Sequence, residues 1–185
     1  VGYSMGGPII GGFAEKYSDQ VKSLSFIAPA GFGKVQTSIP FFMKIPGVIE
    51  WAMHVLADRF YGSAISSETV HSNDPLSINE EEFQQLFSFQ MQFKGFRESL
   101  ASTMRNFNLF DAREMFEKVA AKNIPSIAIW GDNDGIVSYK GAETYSEIFH
   151  EGKVITIEDG THDITYRQPS DVLEAIKIFL ASQIS

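Results

Sequence analysis

The stretch Val1-Gly2-Tyr3-Ser4-Met5-Gly6-Gly7 fits the pattern G-x-S-x-G. That pattern demands a sharp strand-to-helix turn, which holds the serine in a strained backbone conformation with its hydroxyl exposed. Glycines two residues before and two after the serine keep side chains from colliding at the turn. The Met5 amide then lies at a helix N-terminus, aimed where an oxyanion would form. Three fixed positions in five also arise by chance, so the reading needs support from the rest of the chain.

Working outward, a helix is expected from Met5 to about Tyr17, with Ser18-Asp19-Gln20 as a break. Val21 to Ala28 reads as a short buried strand closed by Pro29-Ala30-Gly31, giving an α/β unit. From Phe32 the character changes. Pro40 and Pro46 bracket short segments, and Trp51, Met53, Val55, Leu56 and Phe60 fit an amphipathic helix. Ser77 to Phe93 is a second helix, with Ser77 and Glu80 as a capping box. Phe83, Leu86, Phe87, Gln90 and Met91 share one side of it. Phe96–Phe107 and Asp111–Ala121 add helical material, and no strand alternation appears. Residues 32–119 therefore read as a helical insertion between core segments 1–31 and 120–185.

The α/β pattern returns at Ser126-Ile127-Ala128-Ile129-Trp130, a buried strand after Pro125. A loop over 131–137, a helix from Tyr139 to Phe149 and a strand at Val154–Ile157 follow. Pro169 suits the first position of a last helix, where its missing N–H costs nothing. Val172, Ile176, Phe179 and Leu180 would form that helix's buried side.

A serine needs a positioned base to be nucleophilic near neutral pH. Of four histidines, His54 lies in a helical pattern, His71 in a polar loop and His150 at a helix end. His162 differs. It occupies a loop after a buried strand, where open α/β sheets place their sites. Its imidazole needs a carboxylate to fix the tautomer, and Asp132 and Asp134 both follow the strand ending at Trp130. Asp132-Asn133-Asp134-Gly135 is also good turn composition and resembles the start of a calcium loop. It lacks the later Glu, however, and follows a strand instead of a helix. The order serine, acid, histidine is that of α/β-hydrolases.

Composition narrows the remaining classes. With 44% hydrophobic and 21% charged residues, the 185-residue chain can bury a core as one domain, or as one domain with a small insertion. A net charge of −8 offers no basic footprint for nucleic acid or anionic lipid. Without cysteine, disulfides, zinc thiolate sites and a cysteine nucleophile are excluded, and a reducing, cytoplasmic setting is slightly favoured. No apolar run reaches the roughly 20 residues of a membrane span. The start on a motif, without an initiator Met, reads as the C-terminal piece of a longer protein.

On these residues the chain resembles the α/β-hydrolases of the esterase, lipase and carbon–carbon bond hydrolase group. In that family the nucleophile follows strand five, a helical cap follows strand six, and acid and base follow strands seven and eight. Gly2–Gly7 resembles the nucleophile elbow, and Ile27-Ala28-Pro29-Ala30-Gly31 the end of strand six. Trp130-Gly131-Asp132-Asn133-Asp134 resembles the acid loop, and the family's G-x-x-D spacing selects Asp134 over Asp132. His162, seven residues before Pro169, is similar to the family's histidine loop, although Thr161 stands where a Gly is usual. The resemblance implies a partial α/β-hydrolase fold with strands five or six to eight and a helical cap. Ser4 would be nucleophile, His162 base, Asp134 acid and the Met5 N–H an oxyanion donor, without metal or organic cofactor. It implies a small ester substrate, and the many Phe at cap positions favour an apolar acyl group. Carbon–carbon hydrolysis, aided by Arg97 or Arg105, and a non-catalytic binding protein are the alternatives. With the second oxyanion donor upstream, residues 1–185 alone are expected to be inactive.

Overall fold

A computed structural model of the chain describes residues 1–33, 45, 47, 48, 51, 73–107, 109 and 111–183, without the side chains of 80, 87, 104 and 105. The helix expected from Trp51 to Phe60 lies, apart from Trp51, outside the described residues, as do His54, His71, Phe41, Phe42 and Phe110.

The elements run β1 (Gly2–Tyr3), α1 (Gly6–Lys16), a 3-10 turn (Ser18–Gln20), β2 (Leu24–Ile27), α2 (Glu80–Met91), α3 (Phe96–Asn106), α4 (Arg113–Ala120), β3 (Ser126–Gly131), α5 (Gly141–Ile148), β4 (Lys153–Ile157), α6 (Ile164–Arg167) and α7 (Pro169–Ser182). The strands form one parallel sheet in the order β1-β2-β3-β4. A parallel sheet with helices packed on both faces agrees with the partial α/β fold expected from the sequence.

Every residue of β2 and β3 is buried. A parallel sheet covered on both faces needs such continuous apolar runs, which is why alternation is absent there. On one face Phe26, Phe32, Phe116, Trp130, Tyr145 and Phe149 form an aromatic core that takes in α1, α4 and α5. Phe32 and Phe116 stack with centroids 4.0 Å apart. On the other face Ile27, Ile127, Ile129 and Ile157 pack with Ile164, Val172 and Phe179 of α6 and α7. The expected inner side of α7 holds for Val172 and Phe179, while Leu180 is 44% exposed. Leu180 follows Phe179 by one residue, a rotation of about 100° that carries it off the buried stripe.

Two compact units are present. One comprises Val1–Gln36, Asn73–Ser77 and Asn108–Ser185, the other Thr37–Ser72 and Ile78–Phe107. The expected insertion boundaries at 32 and 119 therefore move inward. Phe32, Ala112, Phe116 and Val119 are buried in the aromatic core, so α4 is a sheet-covering helix. Within this unit the stretches before and after the insertion run side by side, since Phe32 bridges Asp111 and the Ala112 N–H donates to the Gly31 carbonyl at 2.8 Å. In the same unit, Asp74 accepts hydrogen bonds from the Ser170 N–H and hydroxyl, both at 2.8 Å, at the start of α7.

In the second unit the capping box forms at Asn79 and Glu82, not at Ser77 and Glu80. The Asn79 side chain accepts from the Glu82 N–H while Glu82 accepts from the Asn79 N–H, each at 2.9 Å. Ser77 is used in a turn, donating its N–H to the Asp74 carbonyl, so the helix begins two residues later.

Candidate active site

Ser4, Asp134 and His162 lie after the C-terminal ends of β1, β3 and β4, on one rim of the sheet. Ser4 adopts φ +52°, a left-handed conformation that non-glycine residues rarely take. It is held there by its N–H donating to the Ile27 carbonyl at 2.9 Å, and by its carbonyl accepting from Gly7 and Ala30. A Cβ at Gly2 would overlap the Gly6 carbonyl group, so the first glycine is sterically required. The second is different. A Cβ at Gly6 would meet nothing among the described residues, so the expected collision there is absent. Met5 stands at the N-cap of α1, where first-turn amides lack intrahelical partners.

The two acids of the 131–137 loop separate cleanly. Asp132 is exposed, whereas Asp134 is 8% exposed and its carboxylate is fully enclosed. Asp134 Oδ1 accepts from the Ile136 and Val137 amides at 2.9 and 2.7 Å. That leaves Oδ2 for His162 Nδ1, 2.9 Å away. An ionised carboxylate only accepts, so Nδ1 carries the proton and Nε2 presents its lone pair. Ser4 Oγ lies 2.9 Å from that Nε2. A hydroxyl hydrogen-bonded to a neutral imidazole, itself held by a carboxylate, can lose its proton as it attacks an electrophile.

Three supports around this chain were not apparent in the sequence. Trp130 Nε1 donates to the Val137 carbonyl at 2.9 Å, pinning the acid loop to the strand before it. Gly131 and Gly160 face each other so closely that a Cβ on either would run into the other's backbone. Asp163 accepts from Arg167 Nε at 2.6 Å and from the Thr161 hydroxyl, bracketing His162. The four-residue spacing of Asp163 and Arg167 was a readable signal for the last of these. Thr161, where the family has glycine, thus takes up a loop-holding bond.

Of the other candidates, His150 is exposed after α5, and Arg97 is half-buried on α3 in the second unit. The side chain of Arg105 lies outside the described residues.

Comparison with known proteins bears on this arrangement. Residues 1–168 match the Hydrolase_4 family model, described as "Serine aminopeptidase, S33". Among curated proteins the chain is similar to Lipase 3 of Moraxella sp., at 27% identity over 96% of the chain and 54% of that protein. It is also similar to the monoacylglycerol lipase ABHD6 of Mus musculus, at 24% identity over 98% of the chain and 54% of that protein. The chain thus spans about half the length of these relatives. Among solved structures, a bromoperoxidase from Bacillus anthracis superposes with a TM-score of 0.71 at 20% identity, covering 97% of this chain and 66% of that one. With a family match over most of its length and this shared fold, the chain belongs to the Hydrolase_4 family of α/β-hydrolases.

Proposed function

We propose that the protein hydrolyses carboxylic esters through an acyl-enzyme, with Ser4 as nucleophile, His162 as general base and acid, and Asp134 as the orienting carboxylate. The observation that carries this reading is the pair of 2.9 Å contacts linking Asp134 to His162 and His162 to Ser4. Ser4 Oγ attacks the ester carbonyl as its proton passes to His162 Nε2, and the carbonyl oxygen becomes an oxyanion beside the Met5 N–H. Asp134 stays ionised and stabilises the imidazolium. His162 returns the proton to the departing alcohol. Water, activated by the same imidazole, then releases the carboxylic acid and regenerates Ser4.

The lipase names of the two curated relatives support an ester substrate. An apolar acyl group, of medium chain or aromatic, suits the apolar residues of the helical insertion. Thr37–Ser72 and Ile78–Phe107, without α4, are the natural extent of that cap.

A fluorophosphonate probe should label Ser4 of the protein, and Ser4→Ala should abolish labelling. The same change should lower turnover of p-nitrophenyl esters by about 10⁶-fold, as in other serine hydrolases that lose the nucleophile. Absence of labelling with an intact fold would favour a binding role. Including a ring-fission dienoate in the substrate panel separates ester from carbon–carbon bond cleavage, which would use the same three residues. Residues 1–185 expressed alone should show no ester turnover. The resemblance puts the second oxyanion donor outside them, and loss of one donor alone costs about 10²–10³-fold. Turnover by that segment would overturn this last expectation.

A further inference from the structure

Tyr3 sits between Gly2 and Ser4, at the end of β1. In a strand, neighbouring side chains point to opposite faces, so Tyr3 packs with the aliphatic core that includes Ile27, Ile129 and Ile164. From there its phenol hydroxyl donates to the backbone carbonyl of His162 at 2.9 Å. Its ring stacks on the imidazole, with centroids 5.3 Å apart and planes inclined by 29°. Tyr166 meets the Tyr3 ring edge-on at 6.2 Å.

We propose that Tyr3 is a positioning residue for the base, fixing the place and tilt of the His162 imidazole relative to Ser4 Oγ. The proposal rests on the reading of Ser4 and His162 given above and deepens it. Asp134 controls the Nδ1 side of the ring, but one hydrogen bond leaves the ring free to swing about it. The carbonyl bond fixes the backbone of His162, and the stack limits that swing. Both restraints come from the residue joined to the nucleophile, so the strand end that sets the hydroxyl also sets the imidazole. Burial, before any charge effect, holds the phenol pKa above its ordinary value, and the hydroxyl therefore remains a donor. The ring also offers its π face to the imidazolium formed in mid-reaction, within the distance at which such attraction operates.

The experiment compares the protein with its Tyr3→Phe and Tyr3→Leu variants. Three quantities are read: the rate of fluorophosphonate labelling, kcat and KM on a p-nitrophenyl ester, and the thermal midpoint. Tyr3→Phe keeps the stack and loses only the carbonyl bond, so labelling and kcat should fall about fivefold. Tyr3→Leu loses both restraints while remaining apolar, and the fall should reach about 50-fold or more. KM should change by less than about twofold in each, because the substrate is not touched. A purely structural tyrosine would lower the thermal midpoint while leaving the labelling rate of the folded protein unchanged. Labelling of Tyr3→Phe at the parent rate would overturn the proposal, and this variant decides alone should Tyr3→Leu not fold. Failure of the parent to label at Ser4 would instead remove the hydrolase reading and the role of Tyr3 with it.

Discussion

Aromatic residues serve opposite ends in the two units of this chain. In the sheet-bearing unit Phe26, Phe32, Phe116 and Phe149 are buried and touch one another edge to face or stacked. In the second unit Phe89 and Phe93 of α2 are 55% and 54% exposed, with Leu86 a turn away at 57%. Both groups fall at helical or strand spacing, so periodicity alone treats them alike. The difference lies in what faces them. A sheet presents a broad apolar surface that each covering helix can bury its stripe against, whereas on α2 Phe89 and Phe93 meet each other edge-on and stay more than half exposed.

The sharpest way to break the comparison is to truncate one ring from each unit. Phe116→Ala removes a fully buried ring stacked on Phe32, and should cost about 3–5 kcal/mol in urea unfolding of the protein. A cost under 1 kcal/mol would mean the aromatic core is not the source of stability in this unit. Gly131→Ala tests the backbone side of the same packing. The new methyl meets the backbone of Gly160, which cannot rotate away, so a loss of about 1–3 kcal/mol and a fall in ester turnover are expected together. Unchanged turnover would show that the acid and histidine loops tolerate being pushed apart. The smallest effect belongs to Phe89→Ala, which should shift stability by no more than about 0.5 kcal/mol. A large stability loss there would place Phe89 in a core after all.

The sequence carried the placement of the candidate site further than it carried the packing. Ser4, Asp134 and His162 were legible because each falls in a short pattern just after a strand, although of those strands only β3 is buried throughout, and the G-x-x-D spacing chose between Asp132 and Asp134. The structure brings these three together within hydrogen-bonding distance. Its helical pattern alone places α4 with the insertion. Which partner a helical stripe finds is a long-range fact, and Phe116 finds Phe32. The capping box slid from Ser77 to Asn79 for a similar reason: both side chains suit a cap, and the turn made by Asp74 and Ser77 decided between them. Tyr3 was hidden because it occupies a free position of the motif. Its contacts span nearly the whole chain, and no local pattern records them.

The doorway at Gly31–Phe32 and Asp111–Ala112 has an evolutionary consequence. Every strand among the described residues lies outside residues 33–110, so the stretches on either side of the Asp74–Ser170 tether can change in length without shifting the register of any strand. The entropy of closing such a loop rises only logarithmically with its length, so even large exchanges are thermodynamically cheap. New sequences can therefore be tried out there by inheritance while the strand ends that carry Ser4, Asp134 and His162 keep their register.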